Sequence, residues 1–130
     1  MKLNAVGVTT SDMKKTIAFY ALLGFTFPAD VEAEDHVEPK ESVGSARLMI
    51  DSKKLITEIL GEVPHPSNHS AFAIEYKTAA EVDAICTRLS SAGYTIVKEP
   101  WDAFWGQHYA IVEDPDHYRI DLYAPLTSPV

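Results

Sequence analysis

The chain has 130 residues, 46% of them hydrophobic and 23% charged, the size and balance of one globular domain with a core of its own. Its formal net charge of -8 at pH 7 works against nucleic acid and anionic membranes, whose phosphates it would repel, and leaves neutral or cationic partners. Cys86 is the single cysteine, so an intrachain disulfide has no second thiol, and no apolar run approaches the roughly 20 residues of a membrane span.

The N-terminus, Met-Lys-Leu-Asn, lacks the apolar core of a signal peptide, so a cytoplasmic address is expected. Leu3 to Thr9 is short, apolar and rich in Val and Thr, which predicts a strand. Ser11 offers an N-cap for a helix from Asp12 to Leu23, with Met13, Ile17 and Tyr20 on its apolar face and Gly24 as its stop. A second strand is expected to begin at Phe25 to Pro28. Residues 29–42 are acidic and predict a solvated loop or ragged edge strand. Strands are expected at Ser45 to Asp51 and Leu55 to Leu60, with Ser52 and Lys53 at the turn between them. Gly61 to Ser67 carries Pro64 and Pro66 and reads as a linker.

The plan then repeats. His69 to Tyr76 predicts a strand. Thr78 caps a helix, with Glu81 completing a capping box and Val82, Ile85 and Leu89 forming its stripe. Cys86, beside that stripe, is expected to be a small buried residue. Gly93 ends the helix and Tyr94 to Val97 forms a strand. Gly106 to Glu113 and Tyr118 to Tyr123 form a hairpin around Asp114-Pro115-Asp116-His117. Leu23-Gly24-Phe25-Thr26-Phe27 matches Ala92-Gly93-Tyr94-Thr95-Ile96, and Leu48 to Leu60 matches Ile111 to Tyr123. The expected fold is therefore α+β: two βαβββ repeats, at residues 2–60 and 68–124, joined by a linker at 61–67. Within one domain over 1–130 they form a curved mixed sheet, a cup with helices outside.

Two stretches carry a family resemblance. One is Val6-Gly7-Val8-Thr9-Thr10-Ser11-Asp12 followed by Ala18-Phe19-Tyr20-Ala21-Leu22-Leu23-Gly24-Phe25. The other is Glu113-Asp114-Pro115-Asp116-His117-Tyr118-Arg119-Ile120-Asp121-Leu122-Tyr123. Together with the duplicated plan they resemble the vicinal oxygen chelate superfamily, the fold of glyoxalases, bleomycin resistance proteins and extradiol dioxygenases. The likeness spans nearly the whole chain and speaks for the fold rather than the reaction. His117 stands where that family usually has Gly, so a positive φ would strain it modestly, and it is expected to be an exposed turn residue.

The resemblance implies a cup that in the family's enzymes holds a divalent ion. Carried onto this chain, the ligand positions are Ala5, Glu58, His69 and Asp121. Glu58, His69 and Asp121 can serve a divalent metal such as Zn, Ni, Mn or Fe; Ala5 cannot. A metal-free cup is the favoured reading. Glu58 and Asp121 would then need other partners, with Arg119 and His69 the candidates. Alternation places Arg119, Asp121 and Tyr123 on the cup face and Ile120 and Leu122 on the helix face. Small residues at Ala5, Gly7, Ala71 and Ala73 leave room for a ligand.

Trp101, Phe104 and Trp105 cluster just before the strand that carries His108 and Tyr109. Such a segment can wall a site for a flat ligand, with Gln107 and His108 hydrogen bonding to its polar groups. His36 and His65 are assigned no role. The favoured function is a small-molecule-binding protein that sequesters an aromatic or drug-like ligand, as the family's antibiotic resistance members do. The alternative is a metal-dependent lyase, isomerase or dioxygenase using Glu58, His69 and Asp121. A metal-free enzyme with His69 or a carboxylate as general base lies between them, and an accessory protein without a ligand is the remaining reading. The resemblance also implies a homodimer.

Overall fold

The computed structural model describes residues 1–41 and 43–126, so Ser42 and the last four residues of the expected domain lie outside the described residues. The chain divides into two compact units, Met1–Ser67 and Asn68–Val130. The architecture is α+β, with a mixed open sheet in each unit. Among the described residues no helix is long and apolar enough to cross a membrane.

The first unit runs β1 (Ala5–Thr10), α1 (Met13–Leu22), β2 (His36–Val37), β3 (Arg47–Ser52) and α2 (Lys53–Leu60). Its sheet has the order β1-β3-β2, with β3 parallel to β1 and antiparallel to β2. Asp12, not Ser11, caps α1, its carboxylate accepting from the Lys15 amide. Buried Thr10 and Thr16 share a 2.7 Å hydroxyl hydrogen bond that ties the strand end to the helix. Phe19, Tyr20, Leu23, Leu48 and Ile50 form the core of this unit.

Two expected strands are absent from this unit. Phe25 to Pro28 is not a strand; Phe25 packs edge-on against Tyr20 at 6.0 Å. The second strand is the short β2 inside the acidic stretch, where Val37 is buried and His36 lies opposite Asp51. Leu55 to Leu60 is a helix, not a strand. Ser52 accepts from the Leu55 amide, and Gly61 closes the helix at φ +78°, a left-handed stop that a side chain would oppose. Leu55, Ile56, Ile59 and Leu60 recur at helical spacing, so local capping and period together defeat the strand that the repeat suggested.

The second unit runs β4 (Ser70–Glu75), α3 (Ala79–Ser91), β5 (Thr95–Ala103), β6 (Gln107–Glu113) and β7 (Arg119–Pro125), the βαβββ order expected. Its sheet has the order β4-β7-β6-β5, with β4 parallel to β7 and the other pairs antiparallel. Thr78 caps α3 through the Glu81 amide. Val82, Ile85, Cys86 and Leu89 bury its inner face with Ala110, Val112, Ile120, Leu122 and Ala124 of the sheet. At the β6–β7 turn, buried Asp114 accepts from the amides of Asp116 and Tyr118, and exposed His117 takes φ +75°, as its place in the turn predicted.

The registers correct the internal repeat. In the first unit Ala5 pairs with Arg47 and Gly7 with Met49. In the second Ser70 pairs with Arg119 and Ala73 with Asp121. β3 is thus the counterpart of β7, and Met49, not Glu58, is the counterpart of Asp121.

Leu122 is fully buried, so Leu122→Ala is expected to lower the unfolding free energy by about 2–5 kcal/mol in urea titrations. A loss well under 1 kcal/mol would place Leu122 outside the core.

Candidate functional site: an aromatic sheet face around Asp121

The α3 side of the second sheet is consumed by packing, so its chemistry lies on the other side. Because Ile120, Leu122 and Ala124 are buried, alternation sends Arg119, Asp121 and Tyr123 to the opposite face, as expected. Cross-strand register then builds a row over the sheet: Trp101 of β5 lies opposite Tyr109 of β6, Tyr109 opposite Tyr123 of β7, and Tyr123 opposite Glu75 of β4. The next row holds Lys98, Ile111, Asp121 and Ala73.

The rings of the first row touch. Trp101 meets Tyr109 edge-on at 5.5 Å, and Tyr109 stacks on Tyr123 at 5.7 Å. Trp105, in the β5–β6 turn, reaches back to Trp101 at 6.0 Å and Tyr109 at 5.3 Å, and its indole N–H donates to the Gln107 side chain at 2.9 Å. Phe104 leans on Trp105 at 5.1 Å but is otherwise exposed at the hairpin tip, and Trp105 keeps 49% of its surface. Lys98 holds its ammonium 4.3 Å from the centre of the Trp101 ring, a cation–π contact.

Asp121 is the polar centre of this face. The hydroxyls of Ser70 and Tyr109 both donate to it, one to each carboxylate oxygen. Burial, then the Asp121 hydrogen bond, push the Tyr109 phenol well above its ordinary value and keep it a donor. These partners differ from those expected. Arg119 donates instead to the Asn68 carbonyl at 3.0 Å, and His69 precedes the strand, its ring against the Ser70 carbonyl at 3.2 Å. A β-bulge between Ser70 and Phe72 shifts the register by one residue. It brings Ser70, where His69 was expected, onto Asp121.

His108 is also displaced from the expected site. It shares its parity on β6 with Ala110 and Val112, so it points to the α3 side, away from Tyr109. There its two ring nitrogens meet Asp102 and Asp83, each at 2.7 Å. In the first unit His36, given no role from sequence, lies between Asp51 and Glu38, and Glu38 also binds Arg47 at 2.7 Å. The Glu38 contact, followed by Asp51, raises the His36 pKa, and His36 in turn depresses that of Glu38. Both clusters arise from pairings distant in sequence that periodicity does not carry. Glu58 is exposed on α2 and lines a shallow groove of about 570 Å³ with Thr10, Ser52, Lys53 and Thr57. Cys86 is buried as expected, and burial pushes its thiol up to about 11, which makes it a poor nucleophile at neutral pH.

The residues do not fit a divalent ion of the kind the resemblance implies. By register the counterparts of the expected ligand positions are Ala5 and Met49 in the first unit and Ser70 and Asp121 in the second. A methyl group and a thioether are no ligands for a hard or borderline divalent ion, and Asp121 is engaged by two hydroxyls. Among the described residues no group of three or more His, Cys, Asp or Glu side chains is arranged to hold a metal.

The model of the Glyoxalase/Bleomycin resistance protein/Dioxygenase superfamily matches residues 2–122. A comparison with curated proteins finds no match. Solved structures share the fold. A glyoxalase-related enzyme from Fulvimarina pelagi is 16% identical with a TM-score of 0.79, covering 95% of this chain and 88% of its own. A glyoxalase/bleomycin resistance protein/dioxygenase family enzyme from Burkholderia phytofirmans PsJN is 18% identical with a TM-score of 0.77, covering 97% and 100%. A lactoylglutathione lyase from Agrobacterium tumefaciens is 16% identical with a TM-score of 0.68, covering 95% and 92%.

The two carboxylates around His108 give a pH signature. Asp83, then Asp102, raise its pKa above the unfolded value near 6.5, against the opposing effect of burial. The stabilisation is therefore complete below the unfolded pKa and lost as pH rises through the folded one. Asp83 and Asp102 are 57% and 69% exposed, and solvent screening limits the contribution to about 1 kcal/mol or less. The wild type is expected to exceed His108→Gln in unfolding free energy at about pH 5.5, with the gap shrinking towards about pH 9. A gap that widened with pH would contradict the assignment.

Proposed function

Because this chain belongs to the Glyoxalase/Bleomycin resistance protein/Dioxygenase superfamily, we propose that it is a small-molecule-binding protein that takes a flat aromatic or drug-like ligand without a metal. The observation that carries this reading is the row of touching rings, Trp101, Tyr109 and Tyr123 with Trp105, beside one hydrogen-bonded carboxylate, Asp121. A rigid aromatic wall gives a planar ligand a large contact area at small entropic cost, and a few fixed polar groups orient it. Trp101, Trp105, Tyr109 and Tyr123 form the wall, with Phe104 at its rim. Asp121 supplies the hydrogen-bond acceptor, and Arg119 and Gln107 lie at its margins. Binding of this kind, rather than turnover, is what sequestration of an antibiotic requires. The protein acts as a homodimer in this reading, to be checked by light scattering.

The alternative, a metal-dependent lyase, isomerase or dioxygenase through Glu58, His69 and Asp121, lacks the support of the donor set described above. Of those three, only Asp121 belongs to the aromatic face.

A screen of planar aromatic compounds by intrinsic fluorescence is expected to yield ligands that change the Trp101 and Trp105 emission at saturation. Trp105→Ala is expected to weaken these ligands by about three- to tenfold. A saturating ligand that leaves both tryptophans unchanged would remove them from the site. Elemental analysis of untagged protein and calorimetric titration with zinc, nickel, manganese and iron(II) are expected to show no binding at tens of micromolar. Stoichiometric metal that disappears in Asp121→Ala would overturn the metal-free reading.

A further inference from the structure

Asp121 has no cationic partner among the described residues. Its two partners, Ser70 and Tyr109, are neutral hydroxyls, which satisfy oxygens but leave the negative charge in place. The cations nearest in the pairing pattern are engaged elsewhere. Arg119, two residues along β7, is held by the Asn68 carbonyl, and Lys98, on the same row, lies over Trp101. Asp121's own neighbours on that row are Ile111 and Ala73, which bring no polar atom to it, and Ala73 leaves space beside it. Glu75, which pairs with Tyr123 at the end of the ring row, is also an acid.

We infer that the ligand of this face is a planar aromatic molecule bearing a cationic N–H donor, an ammonium or amidinium, which pairs with Asp121 while its ring lies on the aromatic row. This rests on the reading of the face as a ligand site and goes on to its chemical class. Covering the face with a flat molecule removes water from Asp121. A neutral or anionic ligand leaves that charge uncompensated, whereas a cationic donor restores the balance and makes a charge-assisted hydrogen bond. The carboxylate has lone pairs left after its two hydroxyl bonds. The electron-rich ring faces add to the preference, and Lys98 on Trp101 is an instance within the chain of an ammonium held this way. The net charge of -8 attracts such a ligand over longer range.

The test uses three probes of one shape: 1-naphthylmethylammonium, 1-naphthylmethanol and 1-naphthoate, titrated calorimetrically into the whole chain at neutral pH. The expected order is ammonium, alcohol, carboxylate, with the ammonium roughly tenfold tighter than the alcohol. Asp121→Asn is expected to bring the ammonium down to the affinity of the alcohol. If that variant fails to fold, as read by circular dichroism and melting, the wild type still decides: the ammonium preference must shrink as ionic strength rises, and the alcohol affinity must not. Equal binding of all three probes, a preference for the carboxylate, or an ammonium preference that survives in folded Asp121→Asn overturns the cationic class and leaves the aromatic site standing. No binding by any probe at millimolar concentration overturns both.

Discussion

Strand β7 is the constraint on which the second unit depends. Ile120, Leu122 and Ala124 have no exposed surface, because α3 packs over them while β4 and β6 flank them in the sheet. A strand that buries one parity must present the other, so Arg119, Asp121 and Tyr123 have no choice of face. The hydrogen bonds to β4 on one side and β6 on the other then decide what stands beside each of them. Tyr109 meets Tyr123, and Ser70 and Tyr109 reach Asp121, because the register leaves them nowhere else to go.

Seen from the core outward, the aromatic face is what remains of a well-packed sheet once its other side is committed. Hydrophobic packing on the α3 side holds the positions, the ring contacts stiffen them, and the two hydroxyls fix the carboxylate. Each layer stabilises the one above it. A site on such a sheet is more precise than one on loops, since its geometry follows from strand pairing.

Much of this was legible in the sequence, and the reasons are local. The alternation of β7, the caps of α3, the turn around Asp114 and the burial of Cys86 each follow from a short-range rule, and each stands. Leu55 to Leu60 is a helix where the repeat implies a strand, because Ser52 and Gly61 are two end signals at the correct helical distance. Glu58 therefore stands on a helix and not on a strand. His69 precedes β4, where a one-residue bulge exchanges the residue that faces the sheet surface, and no periodicity announces a bulge. The role of His108 depends on Asp83, twenty-five positions away on α3, and only the docked helix reveals it.

The pairing order of the sheets also bears on how the chain comes together. β5, β6 and β7 are joined by short turns and pair antiparallel, so their contacts close small loops and can form early. β4 and β7 are parallel partners separated by the rest of the unit, and β1 and β3 stand in the same relation in the first. Each unit must therefore close a long loop to add its N-terminal strand, which is the slow kind of contact. Ser70 arrives with β4, whereas Tyr109 and Asp121 belong to the meander. Of the carboxylate's two hydroxyl bonds, the one from Tyr109 spans 12 residues and the one from Ser70 spans 51, so only the second carries the loop-closure cost of the parallel pairing.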